Sequence, residues 1–207
     1  MNAIHSKSSY LYGQVRRALQ SGRYIPGQRI DPRTVAAEYS TSLTPVRFAL
    51  YRLVGEGMID DHARHGFQVP LPTEMGMRDL YGWMEQLLVM SNELGGARSP
   101  ARRPVADLAD DDLPKQTWKL FDAIARDPGR WSLHRAARWA NDRLAPIRRA
   151  KQGLIEQATE ELAELTRLWQ AHDTARLNSA LHTYHERRKA LVPCIVELLT
   201  ERSNQLP

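Results

Sequence analysis

The chain has 207 residues, 42% hydrophobic and 26% charged, a balance that suits a folded globular protein with room for one large domain or two small ones. A single cysteine, Cys194, excludes an internal disulfide framework and a cysteine-rich zinc site. No stretch approaches the roughly 18 apolar residues of a membrane helix, and Ser6, Lys7, Ser8 and Ser9 interrupt any apolar leader core. A cytoplasmic protein with no membrane partner is expected.

The net charge of +5 is unevenly placed: residues 1–70 carry nine Lys/Arg against five Asp/Glu, and the remaining 137 residues are nearly balanced. Taken in chain order, Leu11, Val15, Ala18 and Leu19 share one helical face, and Gly22 stops that helix. Pro26-Gly27 makes a turn, and Asp31 followed by Pro32 is an N-cap and first helical residue. A short helix then runs to about Tyr39, burying Val35 and Ala36. After the Ser40–Ser42 turn, Thr44 caps and Pro45 starts a third helix. Val46, Ala49, Leu50 and Leu53 recur there at i, i+3, i+4, i+7. Gly55 and Gly57 end it, and Met58-Ile59 and Phe67–Val69 read as two strands of a hairpin. Three helices and a hairpin are the order of a winged helix-turn-helix.

That order suits duplex DNA, because a short, braced third helix can enter the major groove. Its apolar stripe leaves Arg47, Tyr51 and Arg52 facing outward, and an arginine in the first turn can make two bonds to guanine. Ser42 and Thr44, at the helix N-terminus, suit phosphate oxygens. Arg33 is placed to clamp the backbone, and the hairpin tip Arg64-His65-Gly66 to reach the adjacent minor groove.

Residues 10–70 resemble the DNA-binding domain of the GntR family of regulators. The resemblance rests on Gly22-Arg23-Tyr24-Ile25-Pro26-Gly27, on Val35-Ala36, and on Ser42-Leu43-Thr44-Pro45-Val46-Arg47-Phe48-Ala49-Leu50. It continues through Leu53, Glu56-Gly57-Met58 and Arg64-His65-Gly66-Phe67-Gln68-Val69. It implies Arg33, Arg47, His65 and Gly66 as DNA contacts. Two positions depart from the family pattern. Leu43 stands where the family has arginine, and Phe48 where it has glutamate. The first departure implies an altered operator sequence and leaves DNA binding in place.

Val69-Pro70-Leu71-Pro72 closes the first domain (1–70), and long helical periods follow in a second (73–207). Thr73 caps a helix to about Leu94, with Met77, Leu80, Met84, Leu87 and Leu88 inward. Gly95–Pro114 is a Gly-, Pro-, Arg- and Asp-rich break. Further helices are expected over Lys115–Arg126, Trp131–Asp142 and Ala145–Ala171, the last with Leu154, Ala158, Leu162, Leu165 and Trp169 on one stripe. Asp173 caps the next helix, with Leu177, Ala180, Leu181 and Tyr184 inward, and Pro193 interrupts it. No strand stands out after residue 70. The fold class is thus mainly α: a winged helix-turn-helix, then an all-α bundle. Cys194, in an apolar stretch, reads as buried packing.

The second domain resembles the helical effector domain of the FadR-type branch, on Phe121-Asp122-Ala123-Ile124-Ala125, on Asn141-Asp142-Arg143-Leu144, and on Ala171-His172-Asp173 with Ala180. The divalent-metal set of that branch falls on Trp118, Asp122, Leu162 and Tyr184 or His185. Trp and Leu cannot ligate, so no metal cofactor is expected. His182 and His185 lie at i and i+3 and can share a polar helix face, and with Asp122 they are the residual metal candidates. Trp118, Asp122, Arg148, Tyr184 and His185 are the effector-pocket candidates that the resemblance implies. The resulting expectation is a homodimer on a palindromic operator, its DNA affinity modulated by a small metabolite, with repression the commoner outcome. Two other readings stand beside it. One is an architectural or plasmid-maintenance DNA-binding protein whose second domain only dimerises. The other is a metal-dependent enzyme, for which no nucleophile motif, phosphate-binding glycine loop or complete metal constellation is found.

Overall fold

The computed structural model describes residues 2–63, 66–95 and 112–206. Helix α1 (Asn2–Gln20) buries Leu11, Val15, Ala18 and Leu19. It stops at Gly22, whose φ of 75° a β-carbon disfavours. There the amides of Gly22 and Arg23 return to the carbonyls of Leu19 and Ala18 at 3.1 and 3.0 Å, the Schellman closure. Helix α2 (Pro32–Glu38) is capped by the Asp31 carboxylate, which accepts from the Arg33 amide at 2.8 Å. It buries Val35 and Ala36.

Helix α3 (Leu43–Gly55) begins earlier than its residue types suggest. Thr44 lies inside the first turn, and Ser42 takes the cap position without using its hydroxyl as a cap. Pro45 is tolerated there because first-turn amides have no intrahelical acceptor to lose. Val46, Ala49, Leu50 and Leu53 are all buried, as their spacing requires.

The hairpin is also displaced from its expected position. Strands β1 (Asp60–His62) and β2 (Gly66–Gln68) pair antiparallel, with Asp60 opposite Gln68 and His62 opposite Gly66. Met58 and Ile59 are core residues before the strand. The Met58 amide bonds the Leu53 carbonyl at 3.0 Å and so belongs to the end of α3. A third segment joins the hairpin: Arg29 bridges Gln68, and the Ile30 amide donates to the Phe67 carbonyl at 2.9 Å. Phe67 and Val69 thereby complete a core with α1, α2 and α3.

Beyond Pro72 come α4 (Glu74–Gly95), α5 (Leu113–Arg126), α6 (Trp131–Ala150), α7 (Ala158–Gln170), α8 (Thr174–Ala190) and α9 (Val192–Asn204). The Thr73 hydroxyl accepts from the Gly76 amide at 3.1 Å, Asp112 caps α5 and Asp173 caps α8. Three expectations are corrected. Helix α6 runs through Pro146 to Ala150, and the break falls at residues 151–157, where Gly153 and Gln157 adopt φ of 96° and 57°. Leu154 is consequently exposed and Ala158 only half-buried. Cys194 is exposed, because it lies on the outer side of the first turn of α9 while Val192 and Ile195 turn inward.

The chain forms two compact units: Met1–Pro72 with Ala145–Ala150 and Glu197–Pro207, and Thr73–Leu144 with Lys151–Val196. Among the described residues, no helix is long and apolar enough to cross a membrane.

Candidate nucleic-acid interface

Helix α3 divides by face. Its inner stripe is buried, and Leu43, Thr44, Arg47, Phe48, Tyr51 and Arg52 are exposed. Among the described residues, the Arg47 and Arg33 side chains have no acid, carbonyl or ring partner, nor have the hydroxyls of Ser42 and Thr44. The start of α3 therefore presents free amides, two free hydroxyls and a free guanidinium to solvent, with Arg33 exposed at the start of α2. Such an arrangement accepts phosphate oxygens and leaves an arginine fork for a base edge.

Arg52 is different. Its guanidinium stacks 3.8 Å over the Tyr12 ring and lies 3.5 Å from Glu56, while the Tyr12 hydroxyl donates to Glu56 at 2.7 Å. Burial and the adjacent Glu56 carboxylate push the Tyr12 phenol up, so it stays a donor. Arg52 therefore braces α3 against α1. Tyr51 meets Phe67 edge-on at 5.2 Å and supports the wing. Arg23 is likewise committed, bonding both Glu38 oxygens at 2.5 and 2.6 Å. Of the wing tip, Gly66 adopts φ 65° opposite His62, while Arg64 and His65 lie outside the described residues. Phe48 is the residue that sequence reasoning undervalued. It is 59% exposed beside Arg47, where an apolar ring can meet a thymine methyl. The signal was its position outside the buried stripe.

In the helical unit the effector candidates separate. Trp118 donates its indole N–H to Asp142 at 2.8 Å. Asp122 accepts from Arg126 at 2.6 Å and from His134 Nε2 at 2.9 Å. Tyr184 and His185 are buried together, with Phe121 stacked 5.9 Å from the His185 ring. Arg148 is buried on the part of α6 that groups with the N-terminal unit. Around Tyr184 and His185 lie residues not foreseen from sequence. Tyr81 accepts from the buried Lys151 ammonium at 2.9 Å, and Arg188 lies 3.3 Å over the Tyr184 ring and 2.6 Å from Glu161. Burial opposes the charge on Arg188, but Tyr184 and Glu161 outweigh it and hold its pKa above the usual value.

The donor set does not fit the divalent metal of the FadR-type branch. Trp118 and Leu162 offer no ligand, Asp122 is taken up by Arg126 and His134, and His185 Nδ1 donates to the Leu181 carbonyl at 2.7 Å. The expected shared polar face of His182 and His185 is corrected: His185 is fully buried, while His182 is exposed and bonded to Glu85 at 2.7 Å. Helix α8 packs against both α4 and α7, so positions three apart meet different surroundings.

The fold and the exposed face of α3 define a winged helix-turn-helix head. Residues 7–69 match the family described as bacterial regulatory proteins, gntR family. It is 27% identical over 70 residues to YdhC, an uncharacterized HTH-type transcriptional regulator of Bacillus subtilis (strain 168). That match spans 34% of this chain and 31% of the relative's length. A transcriptional regulator GntR from Rhodococcus sp. RHA1 shares the fold at TM-score 0.76 and 20% identity, covering 90% of this chain and 97% of that one. McbR/YncC of E. coli shares it at TM-score 0.70 and 18% identity, covering 93% and 98%. The winged head and the helical bundle therefore occur together in solved structures of this architecture.

Proposed function

We propose that the protein acts in the cytoplasm as a homodimeric repressor on a palindromic operator. In this reading Arg47 reads a base edge in each half-site, and Arg33, Ser42, Thr44 and the wing residues hold the backbone. Phe48 supplies an apolar contact. The observation that carries it is the exposed, uncommitted Arg47 on a helix whose opposite face is fully buried. One such module makes few contacts, and two related by a two-fold axis reach the interface that specific binding requires. A small anionic metabolite, received among Tyr184, His185, Lys151 and Arg188, shifts DNA affinity by a coupling on the order of 1–3 kcal/mol. Basic side chains buried against aromatic rings, Lys151 on Tyr81 and Arg188 on Tyr184, support that ligand class, with Arg188 also held by Glu161. No resident metal is needed and no catalysis is assigned. Operator selection from random duplexes, repeated with a panel of organic acids, tests this. The expected result is a palindromic motif whose recovery falls with one class of acid. A weak motif with a small ratio over random DNA would refute specific regulation and favour an architectural role.

A further inference from the structure

The exposed face of α3 has a restricted chemistry. The helix, Leu43–Gly55, contains no aspartate, glutamate, asparagine or glutamine. It therefore has no carboxylate to accept from the amino group of cytosine and no side-chain amide to pair with adenine. Of its polar groups, Arg52 is spent on Tyr12 and Glu56, and the hydroxyls of Thr44 and Tyr51 donate or accept alike. What remains is the Arg47 guanidinium, which suits guanine, and two apolar side chains. Leu43 is 38% and Phe48 59% exposed, and neither belongs to the core of the head.

Their placement brackets Arg47. Leu43 stands one helical turn before it, about 6 Å along the axis, and Phe48 follows it about 100° around. Base pairs are spaced about 3.4 Å. With the Arg47 fork on a guanine, both apolar groups fall within about two base pairs of it. In the major groove the apolar group that a pyrimidine offers is a methyl on C5. Thymine carries it, and 5-methylcytosine carries the same group at the same place. The two differ on C4, a carbonyl oxygen in one and an amino group in the other, and α3 exposes no side chain that tells these apart. Unmethylated cytosine offers Leu43 or Phe48 only a C–H beside an amino group, whose water they would strip without replacing the hydrogen bond.

We infer that the head reads the C5 methyl group itself, through Leu43 and Phe48, at a pyrimidine near the guanine taken by Arg47. Thymine and 5-methylcytosine are then equivalent there, and methylation of an operator cytosine at that position strengthens binding. The inference rests on the operator reading above and adds to it a ligand class, duplex DNA methylated on cytosine. Phosphate contacts are indifferent to the methyl, so the effect falls on selectivity. Burying one methyl group contributes about fourfold per half-site.

Selection with the full chain from two pools of random duplex tests it, one ordinary and one carrying 5-methylcytosine at every cytosine. The ordinary pool should give thymine at the contacted position, and the methylated pool thymine and cytosine together. Fluorescence anisotropy then compares thymine, uracil, cytosine and 5-methylcytosine at that position of the recovered duplex, each with its matched partner base. Thymine and 5-methylcytosine should bind about fourfold per half-site more tightly than uracil and cytosine. Leu43→Ala with Phe48→Ala should erase that gap and leave thermal unfolding unchanged, because both side chains are exposed. A recovered motif whose affinity ignores the methyl overturns the inference and leaves the operator reading standing. Failure to recover a motif from either pool overturns both. A gap that survives the double variant overturns the assignment to Leu43 and Phe48 and places the methyl effect in duplex shape. The base series on the wild-type chain keeps the test decisive even if the double variant fails to fold.

Discussion

Arg47 and Arg52 lie five residues apart on α3, both exposed, yet their surroundings assign them opposite roles. Removing Arg52 loses a stack at 3.8 Å on Tyr12 and a 3.5 Å pair with Glu56. At half exposure the stack contributes roughly 0.5–1 kcal/mol and the i,i+4 pair about 0.3–0.5 kcal/mol. Arg52→Ala should therefore cost about 1 kcal/mol and lower Tm by roughly 2–5 °C, with base preference kept. Arg47→Ala removes nothing from the fold, so Tm should not move. It should cost roughly 1–3 kcal/mol per half-site, which over two half-sites is on the order of 30-fold to 10⁴-fold in operator affinity. Fluorescence anisotropy on the selected operator and on a scrambled duplex at one salt concentration, paired with thermal unfolding, separates the two. If Arg52→Ala lost selectivity at unchanged Tm, or Arg47→Ala kept it, the division of labour argued from the geometry would be wrong.

Phe48→Ala should lower affinity by about 1 kcal/mol per half-site for operators with thymine at the contacted step and leave uracil-substituted operators, which lack the methyl, unaffected. Equal losses on both would remove the methyl contact. Leu43→Arg should restore a phosphate or base contact and steepen the slope of log affinity against log salt by about one per half-site; an unchanged slope would show that position 43 faces away from DNA. The Arg23 guanidinium beside Glu38 holds that carboxyl below its usual value, so the pair stabilises the fold above that lowered pKa and the contribution is lost as pH falls through it. Because Arg23 is half exposed, water screens the pair, and Glu38→Gln should cost about 0.5–1 kcal/mol at pH 7 and progressively less as pH falls through the lowered carboxyl pKa; a cost that stays constant with falling pH in urea titrations would contradict the linkage. His172 closes α7 at φ 57°, with Asp173 N–H on the Leu168 carbonyl at 3.1 Å. Glycine is unstrained there, so His172→Gly should raise stability by about 0.5–1 kcal/mol, and a lowered Tm would show that the imidazole makes a contact worth more than the strain.

The N-terminal head was legible because its signals are local. Asp31-Pro32, Gly22 and the spacing of Val46, Ala49, Leu50 and Leu53 each determine a cap, a stop or a face with no knowledge of the rest of the chain. Errors arose where one local signal outranked a nonlocal one. Thr44 and Pro45 look like a cap and a first residue, but the turn after α2 feeds the helix at Leu43. Met58 and Ile59 have strand-like side chains, but the core claims them before pairing begins.

The helical unit was less legible for the same reason. The sequence suggests one helix ending near Asp142 and another starting at Ala145 with Pro146 in its first turn, yet Leu144, Ala145 and Ile147 are buried, and their burial carries α6 onward to where Gly153 can turn. Tyr81, Lys151, Arg188 and Glu161 come together from three helices and a loop, and no spacing along the chain reports that. Where chemistry is set by one helix, as on α3, a stripe names its residues by subtraction, because whatever the core does not claim faces the ligand. Where it is set by several packed helices, the same subtraction fails. His185 and Tyr184 were singled out as candidate ligand contacts, but their packing with Phe121, Tyr81 and Arg188 makes them equally the core of the unit. An effector received there must then displace packing as well as water, so its affinity and its influence on the fold come from the same contacts.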